Sequence, residues 1–164
     1  MVVTNFRKIP LTQGQLAIVD STDYDWLTQW RWCANWSKFT QSYYAVRNET
    51  VGYKKLRGVK MHRVILGLKY RDGKLSDHRN GDTLDNRRFN LRVATNSKNA
   101  MNSRRFRNNT SGFKGVCRDR ARWRATITVN YKRINIGWFA TAPEAYVARC
   151  EALKKYHGEF ARVA

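Results

Sequence analysis

Between Leu75 and Asn102 the chain reads LSDHRNGDTLDNRRFNLRVATNSKNAMN, its densest run of Asp, Asn, Arg and His. Asp77 supplies a carboxylate and Asn99 an amide oxygen, while His78 carries an imidazole that is neutral near pH 7 often enough to accept a proton. A hard divalent ion such as Mg²⁺ prefers oxygen ligands and keeps several waters, so one or two protein contacts hold it. A base and such a cation together suit phosphodiester hydrolysis. The base activates water, and the cation holds the phosphate and the departing 3′ oxygen.

The elements that must position these groups are written around them. A short strand ends at Asp77-His78, Asn80-Gly81 supplies turn chemistry, and Asn90 to Ala94 form the returning strand. Thr95 is suited to cap a helix beginning at Asn96, on which Asn99 and Asn102 share a face. Adjacent residues of a regular strand point to opposite faces, so Asp77 and His78 converge on one phosphate only at a strand end or an irregularity. Ordinary readings stand beside the chemical ones. Asn-Gly and Asp-Asn pairs usually just make turns. His62 reads as a helix or packing residue, and Arg79, Arg87, Arg88 and Arg92 as phosphate contacts or solvated charges.

Composition narrows the partners. Among 164 residues, 32 are Lys or Arg and 12 are Asp or Glu, a net charge of +20 that calls for a polyanion. The excess is spread along the chain: +5 over residues 1–60, +8 over 61–110 and +7 over 111–164. With no apolar run of about 20 residues and no signal-peptide pattern, nucleic acid fits better than a membrane, in a cytoplasmic setting. Cys33, Cys117 and Cys150 form no C-x-x-C pair, which argues against structural zinc and a disulfide framework. They read as reduced small hydrophobes.

An α+β organisation is expected. Residues 1–60 read as a small unit, with strands on either side of Gln13-Gly14, a short helix through Tyr24, Leu27 and Trp30, and an aromatic-rich hairpin whose rings form a core. Met61, Val64, Ile65 and Leu68 mark one face of a helix. Residues 61–103 hold the Asp-His motif and 104–111 a basic linker. Residues 112–164 return to strand alternation, followed by a helix from about Ala142 to His157, with Gly158 at its C-cap.

About residues 60–103 resemble the HNH endonuclease family with its ββα-metal motif, especially the homing-type members of phages and introns. The carriers are Asp77-His78, Asn90 twelve residues after the histidine and Asn99 nine further on. They are flanked by Asn80-Gly81-Asp82, Asp85-Asn86-Arg87, Asn90-Leu91-Arg92, Thr95 and the upstream Met61-His62-Arg63. The resemblance implies that His78 is the general base, that Asp77 and Asn99 are the ligands of one Mg²⁺ (or Mn²⁺), and that Asn90 braces the loop between the strands. The third position of the motif is Asn instead of His, which favours Mg²⁺ over zinc or nickel.

In the C-terminal segment Trp123, Ala125, Ile127 and Val129 alternate with Arg122, Arg124, Thr126 and Thr128, giving one apolar and one donor-rich face. The helix covers the apolar face, and a twisted sheet can enter a major groove with the other. This segment resembles the plant ethylene-response-factor (Apetala-type) DNA-binding domain. The resemblance rests on Ser111-Gly112-Phe113-Lys114-Gly115-Val116, Trp123-Arg124-Ala125, Asn135-Ile136-Gly137-Trp138-Phe139 and Glu144-Ala145, while His157 to Ala161 is similar to versions fused to HNH nucleases. It implies a three-stranded sheet on one helix, with Lys114, Arg124, Thr126, Thr128, Arg133 and Asn135 facing DNA. Arg118 and Arg122 join that surface, and the linker arginines Arg104, Arg105 and Arg107 follow the backbone. Asn135 replaces a tryptophan and Cys117 an arginine of the plant pattern, so plant sequence preference does not transfer. The N-terminal segment, with Ile9 to Thr12 and Trp30-Arg31-Trp32, is similar to the leader of phage HNH proteins of this two-part design.

The expectation is therefore a metal-dependent, site-recognising endonuclease acting on double-stranded DNA as a monomer or dimer, without a small-molecule cofactor. The alternatives are a DNA-binding regulator that keeps the same domains without catalysis and, disfavoured for lack of any RNA-recognition motif, an RNA binder.

Overall fold

The computed structural model describes residues 5–102 and 108–158, arranged as two compact units that divide between Val93 and Ala94. It is an α+β protein built from several small antiparallel sheets. The first unit opens with β1 (Phe6–Pro10) and β2 (Leu16–Asp20), which pair antiparallel with Ile9 opposite Ala17. Gln13 and Gly14 take positive φ at the turn between them. The helix α1 (Ser21–Leu27) follows and stops before Trp30, shorter than its sequence pattern. Its end is fixed by side chains: Thr28 Oγ1 donates to the Asp25 carbonyl at 3.0 Å, and the buried Trp32 Nε1 donates to the Leu27 carbonyl at 2.8 Å.

A three-stranded meander comes next: β3 (Cys33–Ser37), β4 (Ser42–Gly52) and β5 (Lys55–Lys60). The aromatic core expected here is present only in part. Trp32 is buried, but Trp36 is 48% exposed and pairs across the hairpin with Tyr43, while Phe39 and Tyr53 stand almost free in solvent. Strand alternation gives the inward positions to Ala34 and Ala45 instead. The same alternation turns Cys33 and Cys117 outward, and all three cysteines are free thiols, as expected of reduced residues.

The helix α2 is one turn, Met61–Ile65, and does not reach Leu68. Gly67, at φ 65°, ends it in a Schellman arrangement: Leu68 N–H donates to the Arg63 carbonyl and Gly67 N–H to that of Val64. Strands β6 (Leu75–His78) and β7 (Leu91–Ala94) then pair, with a single 3-10 turn at Arg88–Asn90 leading into β7. One apolar cluster serves the whole unit. Ile9, Ala17, Val19, Leu27, Trp32, Ala45, Met61, Ile65 and Leu91 join the N-terminal hairpin, the meander, α2 and β7. The segment 1–60 and the motif strands thus share a core.

The second unit begins with α3 (Asn96–Met101), where Thr95 Oγ1 accepts the Lys98 N–H at 3.2 Å as an N-cap. Its sheet runs β10-β9-β8, with β8 (Val116–Asp119), β9 (Arg122–Val129) and β10 (Lys132–Phe139), broken by a bulge between Asn135 and Gly137. The helix α4 (Ala142–His157) carries a Thr141–Glu144 capping box. It covers the sheet face of Val116 and Ala125 through Ala142 and Ala145, with Phe113 stacked on Tyr146 at 4.6 Å. Gly158 caps it at φ 50°. Among the described residues no helix is long and apolar enough to cross a membrane.

Leu27 is fully buried in the shared cluster. Leu27→Ala is expected to cost about 3 kcal/mol through lost transfer energy and a residual cavity, read as a fall in the urea midpoint with unchanged slope.

Candidate functional site

The loop between β6 and β7 folds on its own polar groups. Asn90, 1% exposed, accepts the Asn80 N–H on Oδ1 at 3.0 Å and donates Nδ2 to the Asp85 carbonyl at 2.7 Å. Its backbone carbonyl accepts the Arg79 N–H at 2.8 Å. Asp85 is held by Arg87 through Nε and Nη2, both at 2.7 Å, and by Asn80 Nδ2 at 3.0 Å. Burial pushes the Asp85 carboxyl up, but the Arg87 bonds outweigh it and leave it below its ordinary value. A parallel bridge from Ile18 to Asp85 fastens the loop to β2.

Arg88 is fixed similarly. Its Nε and Nη2 grip the buried Asp23 carboxylate at 2.8 and 2.7 Å, and its backbone N–H donates to Asp20 Oδ2 at 2.7 Å. Asp20 stands at the N-cap of α1 but makes no side-chain cap bond there. Arg87 and Arg88 are thus engaged by carboxylates, Arg88 with more than half of its side chain still in solvent, while Arg92 is buried against Asp77, which corrects its reading as a solvated charge.

At the end of β6, His78 is 5% exposed and its Nε2 lies 3.3 Å from Asn86 Oδ1. Asn86 Nδ2 donates to the Leu84 carbonyl at 3.1 Å, so the amide is oriented with its oxygen toward the imidazole. An amide oxygen can only accept, so His78 donates from Nε2 and carries its lone pair on Nδ1. Burial lowers the His78 pKa; the Asn86 bond and the carboxylates of Asp77, Asp82 and Asp85 oppose that without reversing it. The ring is thus a neutral imidazole near pH 7.

Two further rings frame it. His62 on α2 meets His78 edge to face with centroids 4.9 Å apart, and Tyr44 on β4 lies 5.7 Å from His62 and 6.4 Å from His78. Burial first, then the neighbouring His78, Lys60 and Arg63, hold the His62 pKa well below its ordinary value. Tyr44 is a neighbour that sequence reasoning missed, and it gave Asn86 and His62 no role beside His78. Asn86 was legible as half of a turn pair and His62 as a helix residue, both within elements that flank the motif.

Asp77 is 7% exposed, and its Oδ2 accepts from Arg92 Nε at 2.8 Å and Nη2 at 2.6 Å. Both side chains of this pair are buried. Asn99 is exposed on α3, in the second unit, with its backbone N–H donating to Thr95. The structure thus brings Asp77, His78 and Asn90 together in the first unit, and Asn99 belongs to the other. A carboxylate and an amide are hard oxygen donors few enough for a hydrated Mg²⁺ or Mn²⁺, so the donor chemistry fits such an ion. Loading at Asp77 would compete with Arg92 for Oδ2.

On the second unit, Arg122, Thr128, Arg133 and Asn135 are exposed, and Arg124 and Thr126 half-buried on the same strands. Arg124 reaches Asp119 at 3.5 Å. Arg118 lies over the Trp123 ring at 5.3 Å and donates Nε to the Arg120 carbonyl, and Lys114 Nζ donates to the Met101 carbonyl at 2.8 Å. Arg104, Arg105 and Arg107 lie outside the described residues.

The fold and this site define a two-unit α+β protein with a buried histidine–carboxylate cluster in the first unit and a three-stranded sheet backed by a helix in the second. Over 89 residues the chain is 34% identical to Protein 3.8 of Escherichia phage T7, covering 52% of this chain and 72% of the phage protein. It belongs to the family of that protein. No family model and no solved structure matches the chain.

Two outcomes are expected of the site's buried charges. Arg92→Ala strands a buried carboxylate and should cost about 3–5 kcal/mol, read by urea denaturation. His62 binds a proton in the unfolded chain near pH 6.5 but not in the folded one. Its contribution is complete above that pH and is lost as pH falls below it. Between pH 7.5 and 5.5, His62→Phe should therefore lose about 1 kcal/mol less stability than the parent protein.

Proposed function

We propose that the chain is a metal-dependent endonuclease of HNH type that cuts or nicks double-stranded DNA. In this reading β6, the Asn90-braced loop, β7 and α3 are the ββα-metal core, and the second unit is an ethylene-response-factor-type reader. The observation that carries the proposal is His78 in a defined tautomer: Asn86 takes the Nε2 proton's bond, leaving Nδ1 as the base. A neutral, buried imidazole at a strand end suits proton abstraction from water near pH 7. The +20 charge supports a polyanionic substrate, and the phage relative suits a protein working in a bacterial host.

Asp77 and Asn99 would hold Mg²⁺ or Mn²⁺, which when bound supplies charge stabilisation to the phosphate and the leaving oxygen. The protein's own contributions are distinct. His78 accepts the proton at Nδ1, Asn86 holds the ring, Asn90 fixes the loop that carries both, and the His62 and Tyr44 rings exclude water from the buried side. Lys114, Arg118, Arg122, Arg124, Thr126, Thr128, Arg133 and Asn135 would meet DNA, with phosphate contacts setting affinity and register. The Arg92–Asp77 pair favours a second reading: a carboxylate already neutralised by a guanidinium suits a DNA-binding regulator that no longer cuts.

Nicking of supercoiled plasmid with Mg²⁺, beside EDTA, separates the two. The nuclease reading expects cutting that EDTA abolishes and that His78→Ala reduces by about 10²- to 10⁴-fold, with duplex binding retained. Binding without cutting in every condition supports the regulator. Asn86→Ala should lower the rate with KM unchanged, and Asn86→Asp should recover part of it because a carboxylate also accepts the Nε2 proton.

A further inference from the structure

A cleft of about 480 Å³ opens in the second unit beside the edge of β9 that β8 does not cover. At its wall Arg149 of α4 is only 3% exposed, and its Nε and Nη1 have no hydrogen-bond partner. The position is built. Gly115, at φ 72°, lies against the guanidinium, and a Cβ there would fall 2.3 Å from Arg149 Nε and 2.7 Å from the Thr126 carbonyl oxygen. Leaving buried donors unmade costs about 1–3 kcal/mol each, more for charged groups, and an arginine does not escape by losing its proton.

The neighbours compound the problem. Lys114, Arg124, Arg133 and His157 line the same cleft. Arg124 is paired with Asp119, whereas among the described residues no carboxylate pairs with Arg149. His157 donates Nε2 to the Thr128 carbonyl at 2.9 Å, while its buried Nδ1 lacks a partner. Buried charge is retained where something of opposite sign compensates it.

We infer that this cleft is a seat for a phosphoryl group, with Arg149 at its wall and Lys114, Arg124 and Arg133 around it. An oxyanion in the cleft supplies the negative charge that Arg149 lacks beside it, and phosphate oxygens suit a planar guanidinium. The phosphoryl group comes from a DNA backbone or from a free phosphorylated molecule. Only the first source rests on the DNA-binding reading proposed above.

The test follows the Arg149 Nε–H resonance of the full-length, ¹⁵N-labelled protein during titration with inorganic phosphate at constant ionic strength. The resonance is assigned by its loss in Arg149→Lys. A saturable shift is expected, with affinity weakened about tenfold in Lys114→Met and unchanged in Lys154→Gln on the exposed side of α4. Should Arg149→Lys fail to fold, the Lys114 variant and the parent titration still decide. Displacement of phosphate by a short duplex supports a backbone phosphate, and the log–log salt dependence of duplex binding then falls by about 0.9 in the Arg149 variant. Saturation by phosphate that duplex cannot reverse supports the seat with a free phosphorylated ligand. Tight duplex binding with an unmoved Arg149 resonance in both titrations overturns the seat and leaves the DNA-binding reading standing. Absence of any response to phosphate and to duplex overturns both.

Discussion

The loop between β6 and β7 is closed by one side chain. Asn90 spans it from within, joining the backbone at Asn80 to the backbone at Asp85, and its own carbonyl receives Arg79. Buried backbone groups must find partners, and a loop lacking regular pairing cannot supply them without such a polar side chain. Once Asn90 sets the loop, Asp85 meets both Arg87 and the edge of β2, and Asn86 falls opposite His78. The orientation of the imidazole is thus a consequence of loop closure more than of strand geometry.

Buried charge is handled differently in the two units. In the first, each buried carboxylate has a guanidinium: Asp23 has Arg88, Asp77 has Arg92 and Asp85 has Arg87. These pairs gain little net stability against apolar substitutes, but losing one partner is costly, so they fix which side chain sits where. The histidines are kept neutral by burial beside that network. In the second unit Arg149 is buried without a carboxylate, in a cleft whose other charged groups are cationic. One arrangement is internally compensated, and the other is poised for an external anion.

The sequence by itself determined most of the local architecture. Period-two alternation and turn residues located the hairpin around Gln13-Gly14, the strands of both motifs and the helix from Ala142, because these depend on neighbours a few residues apart. The cap at Thr95 was legible for the same reason, and the brace role of Asn90 through the family resemblance alone. Tertiary structure decided what depends on distant partners. Whether Arg92 is solvated or buried against Asp77, whether Trp36 is core or surface, and which ring faces His78 are questions of packing between elements, on which local spacing is silent. The sharing of one core by the N-terminal segment and the motif strands was likewise invisible, since it arises when residues from Ile9 to Leu91 bury a common apolar surface. The sequence supplied the chemical groups and their local frames; long-range burial chose which of them would be charged, paired and oriented.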